Sequence, residues 1–424
     1  MKAGYADIDI TPPPGEELTG YGYFLNRRAR GALDPLFARA VAFSEGGAVA
    51  VVVQLDLLGL PREQVAAIRA ASQQRLGLPP AHVMLHCTHT HTGPATVAVE
   101  GCGTPSPYYP EELSRRVLAV IERAVADLHD VTGTVRFEAD FPEGFAWNRV
   151  GDNELDTRVR GAEIACAGAR PIVLVSYACH PVTLGRLDQY SADYPGYLLR
   201  ELNAYGLRAV YLNGCCGDVD PVSNTYRWGA GTVETLRIYG RDLAAVVRHA
   251  RRSAVPWSPG PVQGRSAMVP VAHEPVDRRQ LEAELAEAEA HLRDHPDDGP
   301  RRVRAAWCRR LLAVEASGAV AELMAAEVQA IACGELVLVG LASEAFTRLG
   351  QIVRAAVPER HLLIAATCNG VLSYLGTPED ARRQGYASST AARIYGIAIP
   401  TPEAGIEWAA AGAAVVRRAA GLEA

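Results

Sequence analysis

The run Val83-Met-Leu-His-Cys-Thr-His-Thr-His-Thr-Gly-Pro94 decides how this 424-residue chain is read. Val83 to Cys87 has the length and apolar character of a buried strand, and the residues after it form a polar loop closed by Gly-Pro. In extended backbone, residues i and i+2 face the same way, so His89 and His91 are delivered together at a strand end. Paired imidazoles in that position are a common beginning of a metal site. A single loop histidine would more simply satisfy a buried polar group.

Strand-like runs recur on both sides of this segment: 48–55, 134–138, 171–178, 208–212, 327–332, 335–341 and 362–366. Most are continuously apolar, which predicts sheets covered on both faces. Amphipathic helical patterns alternate with them at 61–76, 110–128, 195–205 and 232–252, three of them with Pro near the start, where its missing N–H costs little. The runs meeting at Cys333-Gly334 read as a tight β-hairpin, so the sheets are mixed. From Asp277 to Val320 the composition turns Ala/Glu/Arg/Leu-rich, with Leu281, Leu285, Ala288 and Leu292 spaced for one helix face. That segment is expected to be a helical hairpin (277–320) inserted in one catalytic domain spanning 1–424, and to serve as a surface appendage, a lid or an oligomer contact.

Composition narrows the function. A net charge of -6 and 21% charged residues give no field for nucleic acid or an anionic membrane, and Lys2 is the only lysine. No stretch reaches the ~18 apolar residues that a membrane span needs, and the N-terminus lacks a signal-peptide core, so a cytoplasmic protein is expected. Nine cysteines without zinc-knuckle spacing fit free thiols in a reducing compartment.

Four more apolar strands run into polar loops: at His180-Pro181, at Gly217-Asp-Val-Asp-Pro221, at Ser343-Glu-Ala-Phe-Thr347, and at Asn369 to Tyr374. Ligands in open α/β sheets bind where strand ends open into loops, so these segments are expected to converge. Each alone has a structural explanation: Glu344 as a helix cap, His180 on a buried carbonyl, the Asp-rich turn as an Asx turn. Together, two imidazoles and a carboxylate are the usual protein set of a catalytic zinc.

With Asp9-Ile-Thr-Pro-Pro13, Thr88-His-Thr-His-Thr-Gly-Pro94, Cys179-His-Pro181 and Tyr374-Leu-Gly-Thr-Pro-Glu-Asp followed by Tyr386, these segments resemble, in order, the neutral/alkaline non-lysosomal ceramidases. The resemblance implies a neutral-ceramidase-like α/β catalytic domain with one zinc ion per chain, held by His89, His180, Glu344 and Tyr374. It makes His91 a catalytic group beside the metal, and Arg149 and Tyr386 the groups that orient the scissile carbonyl and its oxyanion. The family hydrolyses the amide of N-acylsphingosine.

Two departures redirect that expectation. The family has serine within Gly-Asp-Val-Ser-Pro, whereas this chain has Asp220, which cannot form an acyl-serine but can act as a base or orient an amine. The 424 residues also leave no room for the C-terminal immunoglobulin-like domain of secreted members. Zinc-dependent, water-mediated hydrolysis of an N-acyl amine or related small soluble amide is therefore expected, with His91 or Asp220 moving the proton. The partner is a small-molecule amide, without nucleic acid or stable membrane insertion. Ceramide hydrolysis proper, biosynthetic acyl transfer and non-catalytic metal binding stay open. A dinuclear metallo-β-lactamase-like or phosphoesterase site would need Asp-His after His91, where this chain has Thr92-Gly93.

Overall fold

A computed structural model describes residues 1–141, 144–151 and 154–422. Eight strands of the larger sheet lie in the order Val83–Cys87, Ala48–Leu55, Phe37–Glu45, Lys2–Asp9, His129–Asp140, Arg158–Cys166, Ala169–Tyr177 and Arg208–Asn213, and Val255–Pro256 adds to His129–Asp140. The smaller sheet runs Val262–Pro270, Ala325–Cys333, Leu336–Leu341, His361–Ala365.

The sheets face each other. Along Phe37–Glu45, Val41 and Phe43 point into an apolar layer shared with Ile331, Leu336, Leu338 and Leu363, while Ala38, Ala40 and Ala42 point the other way. There they meet the helices Arg62–Leu76 and Tyr109–Ala126. Asp193–Ala204 and Val233–Ala250 cover the rest of that face, and Thr347–Ala355 and Ala404–Ala419 cover the outside of the smaller sheet. Strands buried on both faces explain the continuously apolar runs.

Within these two sheets three strand pairs are parallel: Ala48–Leu55 with Val83–Cys87, Ala169–Tyr177 with Arg208–Asn213, and Leu336–Leu341 with His361–Ala365. A helix crosses between the members of each pair, as parallel pairing requires. The predicted hairpin at Cys333-Gly334 forms, Cys333 pairing with Leu336. The 277–320 segment is two helices, Arg278–Asp294 and Gly299–Ala316, capped by the Asp277 and Asp298 carboxylates, with a short third helix, Val320–Leu323. It is more than an appendage: Trp307 and Val303 are buried, and Trp307 Nε1 donates to Ile397 O at 2.7 Å.

Four of the longer strands were not visible in the apolar pattern: Lys2–Asp9, Phe37–Glu45, Arg158–Cys166 and Val262–Pro270. The first and last are half exposed, and the other two are rich in Ala or contain Arg, Glu and Gly, residues poorly represented in strands. All nine cysteines are buried and free. Among the described residues no helix is long and apolar enough to cross a membrane.

A buried ion pair ties helix to sheets. Arg69 on Arg62–Leu76 meets both oxygens of Glu327 on Ala325–Cys333, at 2.9 and 3.0 Å. It also donates to Gln329 and to Val83 O, and Asn369 bridges Gln329 to the Leu85 N–H. Removing one partner leaves a desolvated charge. Glu327→Ala is therefore expected to destabilise the fold by about 3 to 5 kcal/mol in urea unfolding, and the joint replacement Arg69→Met, Glu327→Leu by much less.

Candidate metal centre

The C-terminal ends of the six parallel strands supply the site. Beyond Ala48–Leu55 lies the Leu58 carbonyl; beyond Val83–Cys87 lie His89 and His91; beyond Ala169–Tyr177, His180; beyond Arg208–Asn213, Asp220; beyond Leu336–Leu341, Glu344; and beyond His361–Ala365, Tyr374. Glu344 and Tyr374 are register partners in a short parallel bridge. Gly217 packs so closely there that a Cβ would sit 2.3 Å from Glu344 O. The threonines of the His-x-His loop are anchors: the Thr90 and Thr92 hydroxyls both donate to Ser191 O, at 2.7 and 3.0 Å.

The ring nitrogens of His89, His91 and His180 come within 4.8 Å of one another, and the three residues are buried. Each Nδ1 lies on a backbone carbonyl: His89 on Leu58 at 2.8 Å, His91 on Gly20 at 2.7 Å and His180 on Cys216 at 2.5 Å. A carbonyl only accepts, so each Nδ1 carries the proton and each Nε2 turns a lone pair inward. Gly20 makes this possible for His91, since a Cβ there would stand 2.6 Å from the imidazole Cγ and the residue has φ of +93°. His89 itself holds φ of +71°, a left-handed conformation that costs a non-glycine residue about 1 to 3 kcal/mol and concentrates at functional sites.

Glu344 Oε2 lies 3.0 Å from His89 Nε2 and 3.1 Å from His180 Nε2. Carboxylate and lone pairs thus crowd one point, and His89 Nε2 and His91 Nε2 have no hydrogen-bond partner. Burial holds the His91 and His180 imidazoles below their ordinary pKa, so a proton on those rings does not relieve the crowding. Burial pushes the Glu344 carboxyl up, and the downward shift that outweighs it comes from positive charge at His89 and His180, charge that a bound cation would supply to neutral rings. A small divalent cation satisfies such a set, and two imidazoles, a carboxylate and a phenol oxygen suit zinc. The residues present therefore fit the ion.

Tyr374 OH lies 3.2 Å from His180 Nε2. Arg149 Nη2 donates to that phenol oxygen at 3.0 Å and to Gly217 O at 2.8 Å, while Nη1 stands 3.6 Å from Asp220 Oδ1. Burial lowers the guanidinium pKa, and Asp220 and Tyr374 more than restore it. Asp220 is 2% exposed; its Oδ2 accepts from Trp228 Nε1 at 3.0 Å, and its Oδ1 has no hydrogen-bond partner. Tyr386 sits further out, 49% exposed, its ring 5.7 Å from that of Tyr374. All eight candidate residues thus lie in one neighbourhood, with Tyr386 at its mouth.

Several neighbours escaped sequence reading. Tyr395 OH donates to Glu344 Oε1 at 2.5 Å. Trp228 and Tyr21 pack edge-on against His91, at 5.8 and 5.4 Å. Burial raises the Tyr395 pKa well above its ordinary value, so it stays a donor. These residues lie in loops and a short helix with no motif around them, and only the fold brings them in. Asp218 has a structural part, accepting from Thr347 N and Oγ1 at 2.8 and 3.0 Å.

This architecture is that of a neutral-ceramidase-like fold. The chain is similar to the crystal structure of neutral ceramidase from Pseudomonas aeruginosa, with a TM-score of 0.76 and 17% identity over 100% of this chain and 75% of that one. It is equally similar to a ceramidase complexed with C2, with a TM-score of 0.76 and 17% identity over 100% and 76% of the two chains. No family model and no curated protein sequence matches the chain.

Elemental analysis of the purified protein is expected to find one divalent metal per chain, lost on His89→Ala or His180→Ala. His86 provides the control. It belongs to the same sequence run and is as buried, but it bonds to Ala366 O and Asn213 N. His86→Gln is expected to cost stability while leaving metal content unchanged.

Proposed function

We propose that the protein is a zinc-dependent amide hydrolase acting on an N-acyl amine or related small, soluble amide. The observation that carries this reading is the meeting of the His89 and His180 Nε2 atoms with the Glu344 carboxylate, beside an arginine, a tyrosine and a carboxylate that metal storage alone does not need. His89, His180, Glu344 and Tyr374 would hold the ion. Bound there, zinc supplies Lewis acidity toward a carbonyl and acidifies water near neutral pH.

His91 is the most exposed of the three imidazoles, at 7% against 1% for His89 and 0% for His180, and its Nε2 is free. It would take the proton from water as the O–C bond forms. When the C–N bond breaks, the proton passes to the departing nitrogen, giving a carboxylic acid and an amine. Arg149 steadies the Tyr374 oxygen and would offer Nη1 to the negative charge that develops on the carbonyl oxygen, with Tyr386 as a second donor.

Asp220 Oδ1 would accept a hydrogen bond from the amine side of the substrate. Arg149 beside it offsets its charge, which favours this role over recognition of a substrate ammonium. Its bond to Trp228, itself 42% exposed, supports a contact at the edge of the site.

The test is a panel of N-acyl amines of graded polarity, run with protein stripped by chelator and reconstituted with zinc. Turnover is expected to vanish on stripping and return with zinc. His91→Ala should keep its zinc and lose nearly all turnover; loss of the metal as well would make His91 a ligand. Arg149→Ala is expected to lower kcat by about 10² to 10³. Full activity in metal-free protein would reject the assignment.

A further inference from the structure

We propose that Tyr395 is a positioning residue of the metal centre, fixing the Glu344 carboxylate in the orientation that turns Oε2 toward the imidazoles, and that the helical hairpin holds Tyr395 in place. The proposal rests on the metal reading of the cluster and is independent of the substrate and the reaction.

Glu344 divides its oxygens. Oε2 faces His89 and His180, and Oε1 receives the Tyr395 hydroxyl at 2.5 Å. A carboxylate turns freely about its last torsion, and which oxygen faces the histidines depends on what anchors the other. A charge-assisted O–H···O⁻ bond in a buried site is a strong anchor. Partners of this kind, hydrogen-bonded to a metal-binding side chain, tune both its orientation and the metal affinity.

Tyr395 is half-buried: it packs against two apolar clusters and borders two cavities, of about 610 and 400 Å³. The insertion helps to hold its backbone, together with the Glu100 N–H, which donates to Ile394 O at 2.9 Å. Tyr395 ends the short helix Thr390–Tyr395, and Trp307 of Gly299–Ala316 donates to Ile397 O just beyond it. The Arg393 guanidinium lies 5.3 Å from the centre of the Trp307 ring, and Val303 packs in one apolar cluster with Ile394 and Tyr395. The route from hairpin to metal centre is therefore short: Trp307, the 390–397 segment, Tyr395, Glu344.

The experiment compares the wild-type full chain with Tyr395→Phe, which keeps the ring and deletes the donor. Zinc affinity is measured by competition with a chromophoric chelator, and the visible spectrum is recorded after cobalt(II) replaces zinc. Tyr395→Phe is expected to weaken zinc by about 10- to 100-fold and to shift the cobalt bands, while thermal unfolding of the metal-free protein stays close to wild type. A purely structural role would move the unfolding and leave the cobalt spectrum alone. Trp307→Phe, distant from the ligands, is expected to act in the same direction more weakly, and it carries the test if Tyr395→Phe folds poorly. Wild-type and Tyr395→Phe proteins that bind zinc equally, with identical cobalt spectra, overturn this proposal alone. A wild type that binds neither metal overturns the metal reading, and this proposal with it.

Discussion

The Nδ1 atoms of His89, His91 and His180 are each committed to a backbone carbonyl, and the character of the site follows from where that leaves Nε2. With the outer nitrogens holding the protons, the inner ones have only lone pairs to offer, and a buried carboxylate is brought to about 3 Å from two of them. Burying polar groups without partners costs several kcal/mol, and burying a charge costs more. The chain accepts this cost together with a left-handed His89. A cation bound among these groups would offset the crowding of the carboxylate and the inward-facing nitrogens.

The carbonyls stand where they do because of strand direction. Each parallel pair returns through a helix, so both of its strands release their loops at the same sheet edge. Three such pairs, two from the larger sheet and one from the smaller, bring six loops together across the interface between the sheets. The same geometry sets the electrostatics. Glu344 and Asp220 contribute negative charge, Arg149 returns one positive charge, and a divalent ion would leave the site with a positive surplus. Such a surplus favours a carbonyl oxygen gaining negative charge and disfavours a cationic amine.

Much of this was legible in the sequence because burial on both faces writes itself as uninterrupted apolar runs, and because polar residues just past such runs stand out. His89, His91, His180, Glu344 and Tyr374 were found that way or through motif resemblance, and the structure brings them together. Strands such as Lys2–Asp9 and Arg158–Cys166 were missed because their stability comes from neighbours: cross-strand pairing and the opposing sheet override weak local propensity. Gly20, Trp228 and Tyr395 were missed for a related reason. A carbonyl that orients an imidazole, an indole that holds a carboxylate and a phenol that anchors a glutamate leave no periodicity, and each is separated from its partner by long stretches of chain or by an irregular loop.

The aspartate at position 220 gains meaning from its surroundings. A serine there would offer one short hydroxyl, whereas the carboxylate reaches Trp228 Nε1 with one oxygen and keeps the other, unpartnered and buried, beside Arg149. An indole committed to one oxygen fixes the direction of the second. With aspartate at this position the chain presents an oriented acceptor in place of a hydroxyl. On the proposed amide-hydrolase reading, an oriented acceptor leaves the attack to water and the proton to a neighbouring base. On that reading His91, whose Nε2 has no hydrogen-bond partner and whose ring packs edge-on against that of Trp228, would be that base.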